Sequence, residues 1–154
     1  MQKKITKIVL IAAMTIVFAV EWATGTFVTD NALVNQFLHA NIFHLALNCW
    51  AIKSIVRSEV MPPVVLAIVA ILLGWVGFVC AETVVGFSGA LYAMLGIQWR
   101  LFGNKTNFII TASIFVLGLI LPGLTFIAHA LPFFLGLAVG WAYNLIVNFS
   151  YETR

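Results

Sequence analysis

The sequence predicts an all-α membrane protein, a single bundle of six transmembrane helices over residues 1–154 with both the N-terminus and the C-terminus cytoplasmic. Three observations carry this expectation. The 154 residues are 63% hydrophobic and only 8% charged, with a mean hydropathy of +1.09, and a soluble domain needs more charge than that to cover its surface. The apolar residues form runs of membrane-spanning length, with the charges in the gaps between them. Threaded that way, all eight Lys and Arg residues fall on one side, which the positive-inside rule makes cytoplasmic. The net charge of +3 therefore bears on topology. A nucleic-acid footprint would need basic residues clustered on one folded face, and no nucleic-acid partner is expected.

The first span runs from about Ile5 to Val28, behind Lys3, Lys4 and Lys7. A basic start before an apolar core is also the pattern of a secretory signal, but the apolar run continues to about Val28, and a retained span is expected. The second runs from about Ala32 to Arg57, contains "FLHANIFHLALNCWAIKSIV" and ends on Lys53 and Arg57. The third starts at Pro62-Pro63, where proline suits the first turn of a helix, and ends near Cys80. The fourth, from about Phe87 to Phe102, is closed by Arg100 and Lys105. The fifth runs from about Asn107 to Leu121 and stops at Leu-Pro-Gly; the sixth runs from about Leu124 to Val147, ahead of Arg154. Short connections make neighbours in sequence antiparallel neighbours in space. Glu21, Asp30 and Glu82 fall toward the outer side, Glu21 at the interface beside Trp22. Trp50, Trp75, Trp99 and Trp141 read as packing or interfacial anchors. Cys49 and Cys80 lie within or at the edge of apolar runs without metal-ligand spacing, so neither a disulfide framework nor a metal site is expected.

Three polar side chains then fall at one depth. At about 1.5 Å per helical residue, Ser88 lies roughly 18 Å above Arg100, His44 roughly 20 Å above Arg57, and His129 roughly 21 Å above Tyr143 and Asn144. Against a hydrocarbon core of about 30 Å, all three sit about 10 Å below the outer face. Asn48 shares a helix face with His44, and Tyr92 with Ser88, each pair being four residues apart. Gly89, Ala93 and Gly96 form a small-residue face on the fourth span, and Gly136 and Gly140 form a GxxxG on the sixth. Docking these faces brings Ser88 beside His129.

Such a cluster suits nucleophilic catalysis. A serine hydroxyl is a weak nucleophile until a base takes its proton, and histidine is the usual base. His44, Asn48 and the Ser88 backbone N–H are candidate donors to an oxyanion, aided by the positive end of a helix dipole. Gly86 and Gly89 on either side of Ser88 would let a substrate backbone approach. No acidic residue is evident near His129, so a dyad is the simpler arrangement. Each residue alone has a plainer role: Ser88 as a small packing residue, Asn48 as a bridge between helices. His44 and His129 could also be axial ligands of a bis-histidine haem, an arrangement that leaves Ser88 and Asn48 without a task.

In chain order, "HANIFHLALN" (His39, His44, Asn48), "GFSGALYAMLG" (Gly86, Ser88, Gly89, Tyr92) and "AHALPFFLG" (His129, Gly136) resemble the HxxxxHxxxN, GxSG and HxxGxxxG elements of the rhomboid intramembrane serine proteases. The resemblance covers residues 39–136. It implies a rhomboid-like six-span bundle with Ser88 as nucleophile and His129 as general base and acid. It further implies an oxyanion hole of His44, Asn48 and the Ser88 amide, Tyr92 packed on the His129 ring, and His39 as a structural residue near the outer loop. The implied substrates are single-span membrane proteins cut within or beside their transmembrane segment, with no cofactor. The implied location is integral and multi-pass in a bacterial inner (plasma) membrane, with the site opening outward and the fifth span as lateral gate. Two departures stand out: Pro132 occupies the first glycine of HxxGxxxG, and the connection of about Thr29 to Gln36 replaces a long loop with a tryptophan-arginine motif. A catalytically inactive relative that binds transmembrane helices would share the fold and survive Ser88→Ala.

Overall fold

The computed structural model describes residues 2–26, 29–55, 61–81, 85–102 and 126–152, together with Ile109 and Ser113; for residues 54, 55, 102 and 148–152 it describes the backbone alone. The described residues form six helices and no strand: α1 (Gln2–Thr24), α2 (Ala32–Asn35), α3 (Ile42–Ile55), α4 (Pro63–Val79), α5 (Ser88–Phe102) and α6 (Phe126–Glu152). The fold class is all-α. Both α1 and α6 are long and apolar enough to cross a membrane, and α4 is a shorter apolar helix.

Several boundaries differ from expectation, each for a local reason. Helix α1 stops at Thr24 because Gly25 takes the left-handed region (φ 71) and its N–H donates to the Glu21 carbonyl at 2.9 Å, a left-handed helix stop. The second expected span is not one helix. Asn31 caps α2, its side-chain oxygen accepting from the N–H groups of Leu33 and Val34. The chain then leaves the helix over residues 36–41 and restarts under a second cap. The Asn41 side chain accepts from His44 N–H at 2.9 Å, and its carbonyl accepts from Leu45 N–H at 3.1 Å. Two asparagine caps within one apolar run start two helices where length alone predicts one. Helix α4 opens on Pro63 as expected. The expected fifth span, 107–121, lies outside the described residues except at Ile109 and Ser113. Helix α6 runs on past the expected Val147 to Glu152.

Helix α5 is the centre of the bundle, with every residue from Gly89 to Gln98 buried. It packs on α6, α4 and α3; among the described residues the expected sequential contacts of α1 with α3 and of α4 with α5 are present, whereas α3 packs mainly on α1 and α5 rather than on α4, its neighbour in sequence. The α5–α6 contact is backbone against backbone. A Cβ on Gly96 would collide with the Phe133 carbonyl, one on Gly136 with the Ala93 carbonyl, and one on Gly140 would stand 2.7 Å from the Ile97 carbonyl. Gly96→Ala is therefore expected to lower stability by about 1–3 kcal/mol through overpacking, read as a lower thermal midpoint in detergent.

Helix α4 supplies two further holes. Gly74 admits the Gln36 side chain beside the Ala90 backbone, and Gly77 admits the Pro132 ring. The outer surface, in contrast, is apolar: Trp22 is 72% and Phe43 77% exposed, and Leu47, Trp50, Ile68, Leu72, Phe134 and Trp141 are exposed around the same bundle.

Candidate active site

Helix α5 enters the bundle through a strained turn. Gly86 has φ +115, a conformation costly for any residue with a Cβ. Its N–H donates to the Asn35 carbonyl at 2.9 Å. Asn35 is held in turn by Thr29: its side-chain oxygen accepts from the Thr29 N–H and hydroxyl, both at 2.9 Å, and its Nδ2 donates to the Thr29 carbonyl at 2.8 Å. The segment after α1 thus straps down the turn that launches α5. The Phe87 carbonyl accepts from Leu91 N–H at 3.1 Å, so Ser88 is the first helical residue. Its N–H belongs to the set that no carbonyl within the helix can take.

Ser88 Oγ lies 2.7 Å from His129 Nε2. Ser88 is half-buried on α5 and His129 buried on α6, and the glycine contacts between those helices set the separation. The Tyr92 ring meets the His129 ring edge-on, with centroids 4.9 Å apart and planes at 66°. Pro132, three residues after His129, does not disturb this pair. Its ring fills the Gly77 hole on α4, and α6 continues through it. Proline has no N–H for the Ala128 carbonyl, and that carbonyl faces Gly77 and Gly89.

The other candidate residues converge from α3. A Cβ on Gly86 would run into the His44 ring, standing 2.6 Å from its Nε2, and would lie 3.5 Å from Asn48 Nδ2. Both side chains therefore reach the α5 entrance two residues before Ser88. Asn48 Nδ2 is buried and has no hydrogen-bond partner among the described residues, an uncommon state for a buried donor. His39 lies in the loop ahead of α3, fully buried, with its ring centroid 5.2 Å from that of His44.

Two sequence expectations are corrected here. Gly86 and Gly89 do not open space for a substrate: the first is filled by the His44 ring, and the second lies against the Phe78 ring and the Ala128 carbonyl. Glu21, expected as a charge at the outer interface beside Trp22, turns inward instead. It is 1% exposed, and both carboxyl oxygens lie within hydrogen-bond reach of His39 N–H, at 2.9 and 3.1 Å. Asn35, which holds Gly86, was not among the residues singled out; its place in the polar run "TDNALVNQ", rich in capping residues, is the one signal that marks it. Among the described residues no group of three or more His, Cys, Asp and Glu could hold a metal ion, and Cys49 and Cys80 are free thiols.

Compared with protein-family models, curated proteins and solved structures, the chain gave no match.

Proposed function

We propose that this chain is a rhomboid-type intramembrane serine endopeptidase, a hydrolase with a Ser88/His129 dyad and an oxyanion hole formed by His44, Asn48 and the Ser88 backbone N–H. The observation that carries the proposal is the 2.7 Å contact between Ser88 Oγ and His129 Nε2, on a helix start that His44 and Asn48 also reach. A small residue packing by chance has no need of an imidazole nitrogen at hydrogen-bond distance. The same contact favours a hydrolase over a haem protein, because it engages the His129 nitrogen that would ligate iron.

The chemistry follows from the placement. His129 Nε2 takes the Ser88 proton as Oγ attacks the peptide carbonyl carbon, and the carbonyl oxygen gains the negative charge. Asn48 Nδ2, His44 and the Ser88 N–H supply donors to that oxygen. Collapse of the tetrahedral species breaks the C–N bond, and protonated His129 gives its proton to the departing amine. Water then attacks the acyl-enzyme ester with His129 again as base, releasing a carboxyl product and restoring the serine hydroxyl. Asn48→Ala is expected to reduce turnover by about 10²–10³-fold, the usual cost of one oxyanion donor, with the protein still folded.

The membrane setting is part of the proposal: six spans with both termini cytoplasmic, in a bacterial inner (plasma) membrane, and the site open to the outer side. The apolar exterior supports it, since large aliphatic and aromatic side chains surround the bundle where a soluble protein would carry charge. The start of α5 at Ser88 supports an aqueous approach from outside, because the helix begins below the level that a full span would reach. The proposed substrates are transmembrane segments of other proteins. Reconstitution into liposomes with a single-span reporter tests this. Wild type should cut the reporter within or beside its transmembrane segment and Ser88→Ala should not; an intact reporter with folded wild type counts against the proposal.

A further inference from the structure

We propose that Glu21 is a positioning residue for the His44 side of the site, acting through His39; the inference rests on the hydrolase proposal above. A carboxyl group on an apolar helix is costly to bury and needs a partner. Glu21, near the end of α1, is 1% exposed and turns both oxygens onto a single donor, the backbone N–H of His39. That donor lies in the non-helical stretch 36–41, where no helical carbonyl is available to it, and a buried backbone N–H left unpaired is itself costly. Glu21 thus ties α1 to the loop at one point.

What the tie holds is an edge-on pair of rings. His39 is fixed at its backbone by Glu21 and at its ring by the Phe37 carbonyl, 2.9 Å from Nδ1. That contact makes Nδ1 the protonated nitrogen, since a carbonyl can only accept. The fixed ring meets the His44 ring at 63°, and the His44 ring in turn abuts Gly86. His44 therefore contacts both His39 and the turn that leads to Ser88. With Glu21 removed, the loop loses its tie to α1, His39 is held less firmly, and His44 loses the fixed position of one of its ring neighbours. Misplacement of a site group by about 1 Å can cost about a hundredfold in rate. The effect reaches the chemical step through His44, a proposed oxyanion donor.

The test is fluorophosphonate labelling of the full chain in detergent, recording separately the rate constant at saturating probe and the final labelled fraction. Glu21→Ala should lower the rate constant by about 10–100-fold and leave the final fraction near that of wild type. Glu21→Gln keeps an oxygen acceptor for His39 N–H and should stay within about threefold of wild type. A purely structural role predicts the reverse, a smaller labelled fraction and lower thermal midpoint at an unchanged rate constant, and that result overturns the inference. So does Glu21→Gln labelling as slowly as Glu21→Ala. Should Glu21→Ala not fold, His39→Phe tests the same link: it keeps the backbone bond but loses the Phe37 anchor, and a wild-type rate constant there overturns the coupling. Wild type that labels at Ser88 while Glu21→Ala labels equally fast removes this inference alone. Folded wild type that does not label at all removes the hydrolase proposal, and this one with it.

Discussion

Ser88→Ala and His129→Ala should each lower proteolysis by about 10⁴–10⁶-fold, and the double variant should be no slower than the worse single one. In the proposed dyad the two groups act as one unit: Oγ is a poor nucleophile without the Nε2 lone pair 2.7 Å away, and the imidazole has no proton to move without Oγ. Their losses therefore do not add. Residual catalysis would come from the oxyanion donors and from substrate binding, which neither substitution removes. Both variants should keep the fold, because the α5–α6 contact rests on Gly96, Gly136 and Gly140 rather than on this pair. Single-turnover cleavage of a reporter segment in liposomes, with thermal unfolding alongside, measures both halves of the expectation.

Gly86→Ala should be the most damaging single methyl in the site. Two penalties coincide there. A φ of +115 disfavours an L side chain by about 1–2 kcal/mol, and the new Cβ would occupy the space of the His44 ring. The His39 ring, 5.2 Å away between centroids, limits where the His44 ring can move. We expect turnover to fall by about a hundredfold or more and the thermal midpoint to fall by roughly 4–8 °C for about 2 kcal/mol. Gly25→Ala separates the two causes. Gly25 also has a positive φ (71), but no atom of the described residues lies within 4 Å of its would-be Cβ. That variant should lose about 1 kcal/mol with turnover intact. Equal loss of turnover at both positions would show that strain alone, rather than the displaced His44, drives the Gly86 effect.

The parts of this arrangement legible in the sequence are those set by local composition and spacing. Apolar runs and charge placement are enough to expect a helical membrane chain, and small residues four apart on two runs point to the face on which α5 and α6 meet. That single contact is what carries Ser88 to His129. Less legible were features that depend on what a residue meets across the bundle. The break after α2 is written in Asn31 and Asn41, but hydrophobic length outweighs a pair of caps when a run is read as one span. Pro132 looked like a defect in the sixth helix because its compensation, Gly77, lies on α4 and far away in sequence. Glu21 looked like an interfacial charge because periodicity along α1 cannot reveal a backbone N–H waiting eighteen residues later. The two glycines beside Ser88 read as substrate space for the same reason: an absent side chain marks a close approach without saying whose.

The most direct measurement is the site of covalent labelling by a fluorophosphonate, read by mass spectrometry on wild type, Ser88→Ala and His129→Ala. A Ser88 hydroxyl activated by His129 should carry the adduct on the peptide containing Ser88 in wild type and lose it in both variants, with all three proteins folded. Robust labelling of Ser88→Ala, or labelling of His129→Ala at the wild-type rate, would contradict the dyad.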